Sequence, residues 1–510
     1  MSKMSTIHKR DWILFLLLTV LLITVRLPAF DEPLDNDSGA NAFFSRQMLR
    51  GKTLYDVFHP AHQFPGIYYT FELAFGLFGD NPNAPKLLLF PWALACALLL
   101  YLMGRMYFDE QTGRVAAIFF ILVSSQRWLA GMTVEMEHFA NLPLIVGFFL
   151  LIVLFRRQAP AWQFIWLGIL SALCILYKVI FVAPLLVAGI LILLMAWITR
   201  KEARAWKTML SRLNWMTIGL IIPLALVAAY FASLGLWKRF MLVFEFGFNY
   251  FDDPQIMNAS NLPAPFGFPL YWISVNNIAL LCFGLIGTYR LARRSIPIRT
   301  TDNLTDLAMV LWLVVSFALA GLRGGGFAYY VLPVLPPLAL IASIEISTAY
   351  QGWKTSSEKL ANLGRGASIV LVIGLFLWSN YSIYRDYLMY KLARISYANF
   401  LQSVGEEEFA SWQISNYVKA HTKPDDFIYI WGNRVESYYY ADRLPPIDML
   451  WPYYVGATGS PNRIFDPSTK YIVVDEPEKI DRPQWLLDGI AANYELETII
   501  DDREIYRRVQ

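Results

Sequence analysis

Long apolar segments recur along almost the whole chain and restrict its fold more than any other feature. A helix needs about 20 apolar residues to cross the hydrocarbon core of a membrane. Segments of about this length lie near residues 12–30, 86–106, 138–155, 179–198, 214–234, 271–289, 304–322, 327–348 and 367–385. Two shorter apolar segments, near 114–127 and 162–177, are also counted as membrane helices, because the loops on either side of them require a crossing there. We therefore predict a polytopic α-helical membrane protein with about 11 transmembrane helices.

The composition supports a membrane protein and excludes several other classes. Of the 510 residues, 56% are hydrophobic and 16% are charged, whereas a soluble domain carries about 25% charged residues. The net charge of +3 argues against a nucleic-acid partner. Cys96, Cys174 and Cys282 all lie within apolar segments, which favours buried thiols over redox or metal chemistry.

The positions of the basic residues predict the orientation of the chain in the membrane. Short cytoplasmic loops of membrane proteins are enriched in Lys and Arg. If the helix count holds, one side of the membrane carries Lys3, Lys9, Arg10, Arg105, Arg114, Arg156, Arg157, Arg200, Lys201, Arg204, Lys207, Arg290, Arg293, Arg294, Arg299, Lys354, Lys359 and Arg365. We therefore expect a multi-pass protein of the plasma (inner) membrane, with a cytoplasmic N-terminus and an extracytoplasmic C-terminus.

Two domains are predicted. Residues 1–389 form the transmembrane domain, and its outer loop 31–85 carries two interfacial helices, near 38–49 and 67–78. Residues 390–510 form a small extracytoplasmic α/β domain, since short β-branched and aromatic segments alternate with helical spacing there. The outer loop 235–270 is aromatic and Pro-rich, which suits a mobile lid, an acceptor-binding loop or a plain connector.

Ionisable residues gather on the predicted outer face. They are Asp35, Asp37, His59, His62, Glu135, Glu137, Lys178 and Arg323. Charges at membrane depth are expensive and usually functional. Each also has a structural interpretation. Asp35 and Asp37 could be solvated loop carboxylates, and Glu135 and Glu137 could be carboxylates that a helix N-terminus stabilises. Lys178 could be a snorkelling lysine, Arg323 could flank the membrane interface, and the two histidines could pack locally rather than bind a metal ion.

These groups fit one type of reaction. A carboxylate beside an acceptor hydroxyl can serve as a general base, and cations can stabilise a phosphate as it leaves. No nucleotide is available outside the cell, and no Walker or Rossmann glycine motif is present in the sequence. A sugar linked to a polyprenyl phosphate is the donor that fits a site among membrane helices. The acceptor would then be a lipid, polysaccharide or protein of the cell envelope.

The order of short motifs along the chain resembles a known family. The segments are 37–40 (DSGA), 46–52 (RQMLRGK), 55–58 (YDVF), 62–66 (HQFPG), 71–79 (FELAFGLFG), 136–140 (MEHFA), Lys178, Tyr330, 336–338 (PPL), 431–432 (WG), 438–443 (YYYADR), Pro445 and 471–475 (YIVVD). In this order they are similar to the motifs of GT-C membrane glycosyltransferases. The similar branch is bacterial and includes protein O-mannosyltransferases (family 39), aminoarabinose lipid A transferases and RgtA/B/C/D-like enzymes.

The resemblance implies the GT-C fold and an inverting sugar transfer from an undecaprenyl-phosphate-type donor on the outer face. It implies that Asp37 is the catalytic carboxylate and that Glu137 supports it. Contacts to the donor phosphate are implied for Lys178, Arg323 and His62. The remaining candidates, which we expect to bind substrate, are Asp35, His59, Gln63, Glu135 and Tyr330.

The sequence departs from the family pattern at three positions. Ser38 stands where an acidic residue is usual, Gln63 replaces the lysine of an HKPPG segment, and Tyr329 replaces a histidine. The loss of cationic character at Gln63 and Tyr329 places more weight on Lys178 and Arg323. An inactive protein, or one that uses another donor, would fit these departures.

Two other functions stay open at this point. A transporter or flippase of a lipid-linked saccharide would place charges at the membrane midplane and show repeats, whereas here the charges cluster at one face. A non-catalytic membrane scaffold would bind a partner through the C-terminal domain. No cofactor is predicted, and the sequence neither requires nor excludes a divalent metal ion.

Overall fold

A computed structural model describes residues 9–252, 267–298, 300–321, 327–355, 359–455, 461–475 and 482–509. Most of these residues are helical. The α-helices are α1 (Lys9–Arg26), α2 (Asn36–Leu49), α3 (Gly66–Phe78), α4 (Ala84–Tyr107), α5 (Glu110–Ser124), α6 (Met136–Arg156), α7 (Phe164–Tyr177), α8 (Ala183–Ile198), α9 (Ala205–Ser233), α10 (Trp237–Asp252), α11 (Gly267–Ser295), α12 (Thr301–Gly321), α13 (Leu335–Thr355), α14 (Lys359–Lys391), α15 (Tyr397–Val404), α16 (Glu406–His421), α17 (Glu436–Ala441) and α18 (Gln484–Asn493).

A four-stranded sheet lies near the C-terminus. Its strands are β1 (Phe427–Trp431), β2 (Thr469–Val474), β3 (Tyr494–Ile500) and β4 (Arg503–Arg508). Their order in the sheet is β1-β2-β4-β3; β1 and β2 run parallel, and the other two pairs are antiparallel. The predicted α/β composition of the C-terminal region is therefore confirmed.

Each of the eleven predicted membrane segments coincides with helix. Seven helical segments in the described part of the chain are long and apolar enough to cross a membrane: Asp11–Phe30, Ala84–Tyr107, Met136–Arg156, Val179–Ile198, Ala205–Ser233, Thr301–Gly321 and Ala328–Gln351. The other predicted segments correspond to the shorter helices α5 and α7, to α11, which is interrupted at Asn277, and to α14. A polytopic helical membrane protein is therefore confirmed.

The chain divides into two compact units. The first unit contains residues 1–27, 88–230 and 250–381. The second unit contains residues 28–87, 231–249 and 382–510. The second unit therefore combines the first predicted outer loop, part of α10 and the C-terminal region. The predicted domain boundary between residues 389 and 390 stays a prediction.

Close helix packing organises the first unit. The rings of Phe148 on α6 and Trp312 on α12 stack with their centroids 4.2 Å apart. Gly168 on α7 and Gly219 on α9 allow the two backbones to touch, since a Cβ at either position would overlap the main chain of the other helix. Small residues at helix contacts are typical of packing inside membranes, where close van der Waals contact stabilises helix association.

Helix α2 lies in the interior of the second unit. All its residues from Ser38 to Met48 are buried. The prediction of a helix near 38–49 is confirmed, but α2 does not expose the apolar face expected of an interfacial helix. Helix α3 does, because Leu73 and Leu77 are more than half exposed while Phe71 and Phe75 are buried. The difference arises because α2 packs against α3 and α17.

The predicted outer loop 235–270 is partly helical. Residues 237–252 form α10, in which Phe240, Val243 and Phe246 are buried. The segment predicted as an outer loop therefore contains a helix, and its role as a lid, an acceptor-binding loop or a plain connector stays a prediction. Buried apolar residues three positions apart are typical of a helix. The segment is rich in aromatic residues throughout, so this pattern was not recognised in the sequence. Residues 267–270 of the predicted loop form the start of α11, and residues 253–266 lie outside the described residues.

Candidate functional site

In the first unit, Glu137 and Lys178 form a buried ion pair. Glu137 lies in the first turn of α6, and its side chain is fully buried. Lys178 follows α7 in an extended conformation, directly before the 3-10 turn Val179–Val182. Its Nζ lies 2.5 Å from Oε1 of Glu137, and its side chain is 13% exposed. The end of α7 thus carries a positive charge that a buried carboxylate holds in one place.

Two tyrosine rings complete the surroundings of Lys178. Its Nζ lies 4.2 Å from the ring centroid of Tyr330 and 5.1 Å from that of Tyr329. Both distances are within the range of a cation–π interaction, in which the ring face attracts the ammonium group. Tyr329, which stands where the sequence motif it resembles has a histidine, therefore takes part in the same cluster as Lys178. We call Glu137, Lys178, Tyr329 and Tyr330 the lysine cluster.

Hydrogen bonds fix the N-terminal half of α6. His138 Nε2 lies 2.9 Å from the carbonyl oxygen of Ala130. The Asn141 amide donates to the carbonyl of Leu332 at 3.3 Å, and the Trp92 indole donates to that of Phe139 at 2.8 Å. Glu135, the residue before α6, is also buried. The backbone that carries Glu137 is therefore held on several sides, and its carboxylate is preorganised.

The second carboxylate oxygen of Glu137 faces no donor in the described part of the chain. Burial of a charged oxygen without a hydrogen bond is unfavourable. Glu137 therefore combines a structural contact to Lys178 with one acceptor that a polar ligand could use. An ammonium group can donate up to three hydrogen bonds, so Lys178 can contact Glu137 and an anion together.

In the second unit, the acidic pair stands at the start of α2. Asp35 is the residue that precedes the helix, and Asp37 lies in its first turn and is half-buried. Tyr68 on α3 donates a hydrogen bond to the side-chain oxygen of Gln63. Burial raises the pKa of Tyr68 well above its usual value, and electrostatic interactions with Tyr55 and Asp37 raise it further. Tyr68 therefore stays a neutral hydrogen-bond donor near Asp37.

The two histidines of the first loop have local partners. His59 is fully buried, and its Nε2 lies 2.8 Å from the carbonyl oxygen of Arg239 on α10. Arg239 in turn forms an ion pair with Asp448 at 2.8 Å. The Nδ1 atom of His62 lies 3.2 Å from the hydroxyl of Tyr454. Within the described ranges, no three His, Cys, Asp or Glu side chains are grouped so that they could hold a metal ion.

His59 predicts a pH-dependent stability. Its burial lowers the pKa from 6.5 to about 4, so the folded protein keeps it neutral while the unfolded chain binds a proton below pH 6.5. Its contribution is therefore complete above pH 6.5 and is lost as the pH falls towards about 4. We expect the thermal midpoint of wild type to fall relative to His59→Gln across this window. Parallel pH profiles for the two proteins would contradict the assignment.

Polar groups inside α2 were not predicted from the sequence. Asn41 and Ser38 are fully buried, and neither the Asn41 amide nor the Ser38 hydroxyl has a hydrogen-bond partner among the described residues. The same holds for one carboxylate oxygen of Asp35. Unsatisfied buried polar atoms are rare and call for an explanation. These atoms lie directly before or within the first two turns of α2, close in sequence to Asp37, where a polar ligand or water could satisfy them.

Replacement of Asn41 with leucine should separate stability from function. An unsatisfied buried polar group costs about 1–3 kcal/mol, so Asn41→Leu is expected to raise the thermal midpoint in detergent while weakening the binding of a polar substrate. The control is Ser45→Ala on the same helix, because Ser45 donates to the carbonyls of Asn41 and Tyr68 and its loss should destabilise. If Asn41→Leu destabilises as much as the control and activity is retained, the amide is purely structural.

Three further residues support the candidate groups but were not predicted as functional from the sequence. The buried ammonium of Lys86 donates to the carbonyl oxygens of Ala29 at 2.6 Å and Glu32 at 2.5 Å, which fixes the start of the acidic loop. Arg239 and Asp448 hold the loop around His59. An isolated lysine before an apolar segment predicts an interfacial anchor, so the sequence offered no sign of this burial.

The structure groups the predicted residues by unit. Glu137, Lys178 and Tyr330 belong to the lysine cluster, and Glu135 lies two residues before Glu137, directly ahead of α6. Asp35, Asp37, His59, His62 and Gln63 belong to the second unit. Arg323 lies outside the described residues.

The chain is similar to solved membrane enzymes over nearly its full length. ArnT from Cupriavidus metallidurans, bound to undecaprenyl phosphate, has a TM-score of 0.60 at 14% identity, covering 98% of this chain and 99% of that chain. The oligosaccharyltransferase AglB from Archaeoglobus fulgidus, in complex with an inhibitory peptide and a dolichol-phosphate, has a TM-score of 0.54 at 14% identity, covering 92% and 70%. No protein-family model matches the chain, and no curated protein matches it by sequence.

Both proteins have the GT-C fold. The predicted fold class, a GT-C membrane domain with a small C-terminal domain, is therefore confirmed. At this level of identity the similarity establishes the fold, and the activity of this chain is a separate question.

Proposed function

We propose that this protein is an inverting glycosyltransferase that moves a sugar from a polyprenyl-phosphate donor to a cell-envelope acceptor on the outer face of the membrane. The observation that carries the proposal is the lysine cluster. A lysine held by a buried carboxylate at the end of an apolar helix offers a fixed cation where a lipid-linked phosphate could bind. The lipid phosphates bound by ArnT and AglB support the same class of donor.

The proposed step breaks one bond and forms one. The acceptor hydroxyl oxygen attacks the anomeric carbon from the face opposite the phosphate, and the bond from that carbon to the phosphate oxygen breaks. The electron pair stays on the phosphate, which leaves as polyprenyl phosphate, and the hydroxyl proton passes to the general base. A single displacement inverts the configuration at the anomeric carbon. No redox partner is needed for this balance.

Asp37 is the proposed general base. Asp37 lies in the first turn of α2, where the helix N-terminus stabilises negative charge, and a carboxylate can accept the hydroxyl proton. Asp35 and Gln63, with the Asn41 amide, would orient sugar or acceptor hydroxyls. His59 contributes by holding the loop through Arg239.

Lys178 is the proposed phosphate ligand. As the bond to the sugar breaks, negative charge grows on the phosphate oxygen, and a preorganised ammonium stabilises that charge without reorganisation. Glu137 would hold Lys178 in place, and the Tyr330 ring would exclude water from one side of the ammonium. Glu135, His62 and Arg323 are proposed as further contacts of donor or phosphate.

The test uses purified protein in vesicles and a panel of radiolabelled polyprenyl-phosphate sugars, with extracted envelope as acceptor. Vesicles without the protein give the background. We expect transfer from one donor class, and chemical analysis of the labelled product then identifies the acceptor. A protein that moves intact donor across the vesicle membrane without sugar transfer would instead be a flippase, and one that does neither would be a scaffold.

A further inference from the structure

The segment Arg434–Tyr440, which includes most of α17, contacts the start of α2 within the second unit. The backbone N–H of Leu34 donates to the Tyr440 hydroxyl oxygen at 2.5 Å. The backbone N–H of Val435 donates to the side-chain oxygen of Asn36 at 3.3 Å. These two bonds lie on either side of Asp35 and directly before Asp37, so they hold the backbone through which the acidic pair enters the helix.

A close backbone contact adds to these bonds. A Cβ on Gly39 would overlap the Cα and Cβ of Glu436. Glycine at this position therefore lets the first turn of α2 rest directly on α17. Farther along α2, the Arg46 guanidinium donates to the carbonyl of Tyr439 at 2.6 Å and lies 3.6 Å from the centroid of its ring. Segment 434–440 thus contacts α2 along three turns.

The segment is itself held rigidly by buried charges. Arg434 is 7% exposed and lies 2.6 Å from Glu407, with Glu436 and Asp475 within 4 Å. The hydroxyl of Ser411 donates to Glu436 at 2.5 Å. The Tyr438 hydroxyl accepts from the backbone N–H of Ile430 on β1 at 2.8 Å. Each of these charged side chains has at least one ion-pair or hydrogen-bond partner, which holds the segment in place. Within the described residues, Arg434 Nε and Glu436 Oε2 make no hydrogen bond.

We propose that segment 434–440 is a positioning element for Asp37, so that the C-terminal region takes part in setting the catalytic geometry rather than serving only as a partner-binding module. The inference rests on the proposed function for the role of Asp37. The segment touches no reacting atom; it acts through the backbone of residues 34–39. Small misplacements of a catalytic group are costly, since a shift of about 1 Å can reduce a rate by about 100-fold.

Three variants test the proposal. Tyr440→Phe removes the acceptor for Leu34, and Asn36→Ala removes the acceptor for Val435; each deletes one contact without adding volume. The matched control is Tyr494→Phe, because the Tyr494 hydroxyl donates to the carbonyl of Thr469 at 3.0 Å and lies in the sheet of the same unit. Each protein is examined for kcat, for the KM of the donor and for hydrogen exchange of the peptide that contains residues 31–43.

The expected result is a fall in kcat of about tenfold or more for Tyr440→Phe and Asn36→Ala, with the donor KM changed less than about twofold. Hydrogen exchange of residues 31–43 should be faster in both variants and unchanged in Tyr494→Phe. The control should lose stability without losing kcat, which a general loss of folding would not reproduce.

Two results would overturn the inference. One is wild-type kcat in both variants; the other is unchanged exchange of residues 31–43. The exchange measurement needs no turnover. If wild type transfers no sugar, the proposed function fails, and faster exchange in the variants would still establish that segment 434–440 holds the acidic loop.

Discussion

Asp37→Asn is expected to reduce sugar transfer by about 100-fold to 10,000-fold, the range that a general base contributes. The amide is nearly the same size as the carboxylate, and at the start of α2 it can still take part in local hydrogen bonds, but it cannot accept the acceptor's hydroxyl proton. Donor binding and thermal stability should therefore change little. The measurement is the rate of transfer at saturating donor, together with the thermal midpoint in detergent.

Asp56→Asn is the matched control. Asp56 is an exposed carboxylate in the same part of the chain, so the variant removes the same charge without touching the start of α2. It should transfer sugar at the wild-type rate. An Asp37→Asn protein that retains normal turnover would remove Asp37 from the role of base, and another carboxylate, with Asp35 first, would need testing.

Lys178→Met is expected to have the largest effect on stability. It leaves the Glu137 carboxylate buried without its partner, and the loss of one member of a buried ion pair costs about 3–5 kcal/mol. Transfer should also fall, because the proposed phosphate ligand is gone. The thermal midpoint in detergent and the donor KM measure the two effects separately.

The double variant Glu137→Gln with Lys178→Met separates structure from function. A neutral pair removes the buried charge, so stability should return most of the way to that of wild type. Transfer should stay low, since no cation replaces Lys178. If the double variant recovers both stability and transfer, then Lys178 serves only to neutralise Glu137, and the phosphate site must be sought elsewhere.

The membrane helices could be predicted because each one is specified by the length and hydrophobicity of its own segment. A segment of about 20 apolar residues is sufficient to form a crossing helix, so each predicted segment coincides with helix in the structure. The C-terminal sheet was recognisable from its β-branched and aromatic strands, such as Tyr471–Val474. Its pairing could not be predicted, because the register between β1 and β2 depends on contacts distant in sequence.

The environment of each site residue could not be predicted in the same way. Lys178 stands 41 residues from Glu137, and nothing local indicates their pairing. The interior position of α2 depends on α17, about 400 residues later, so the pattern of apolar residues in α2 alone suggested an interfacial helix. Similarly, the buried state of His59 depends on Arg239 and Asp448, which come from two other parts of the chain.

The most direct test of glycosyl transfer by this protein is to count the products of the donor. Purified protein in vesicles is given a polyprenyl-phosphate sugar labelled in both the sugar and the lipid, with envelope extract as acceptor. We expect one polyprenyl phosphate to be released for every sugar transferred, with both products reduced in Asp37→Asn. Intact donor recovered on the opposite side of the vesicle membrane, with no free polyprenyl phosphate formed, would contradict glycosyl transfer and establish transport instead.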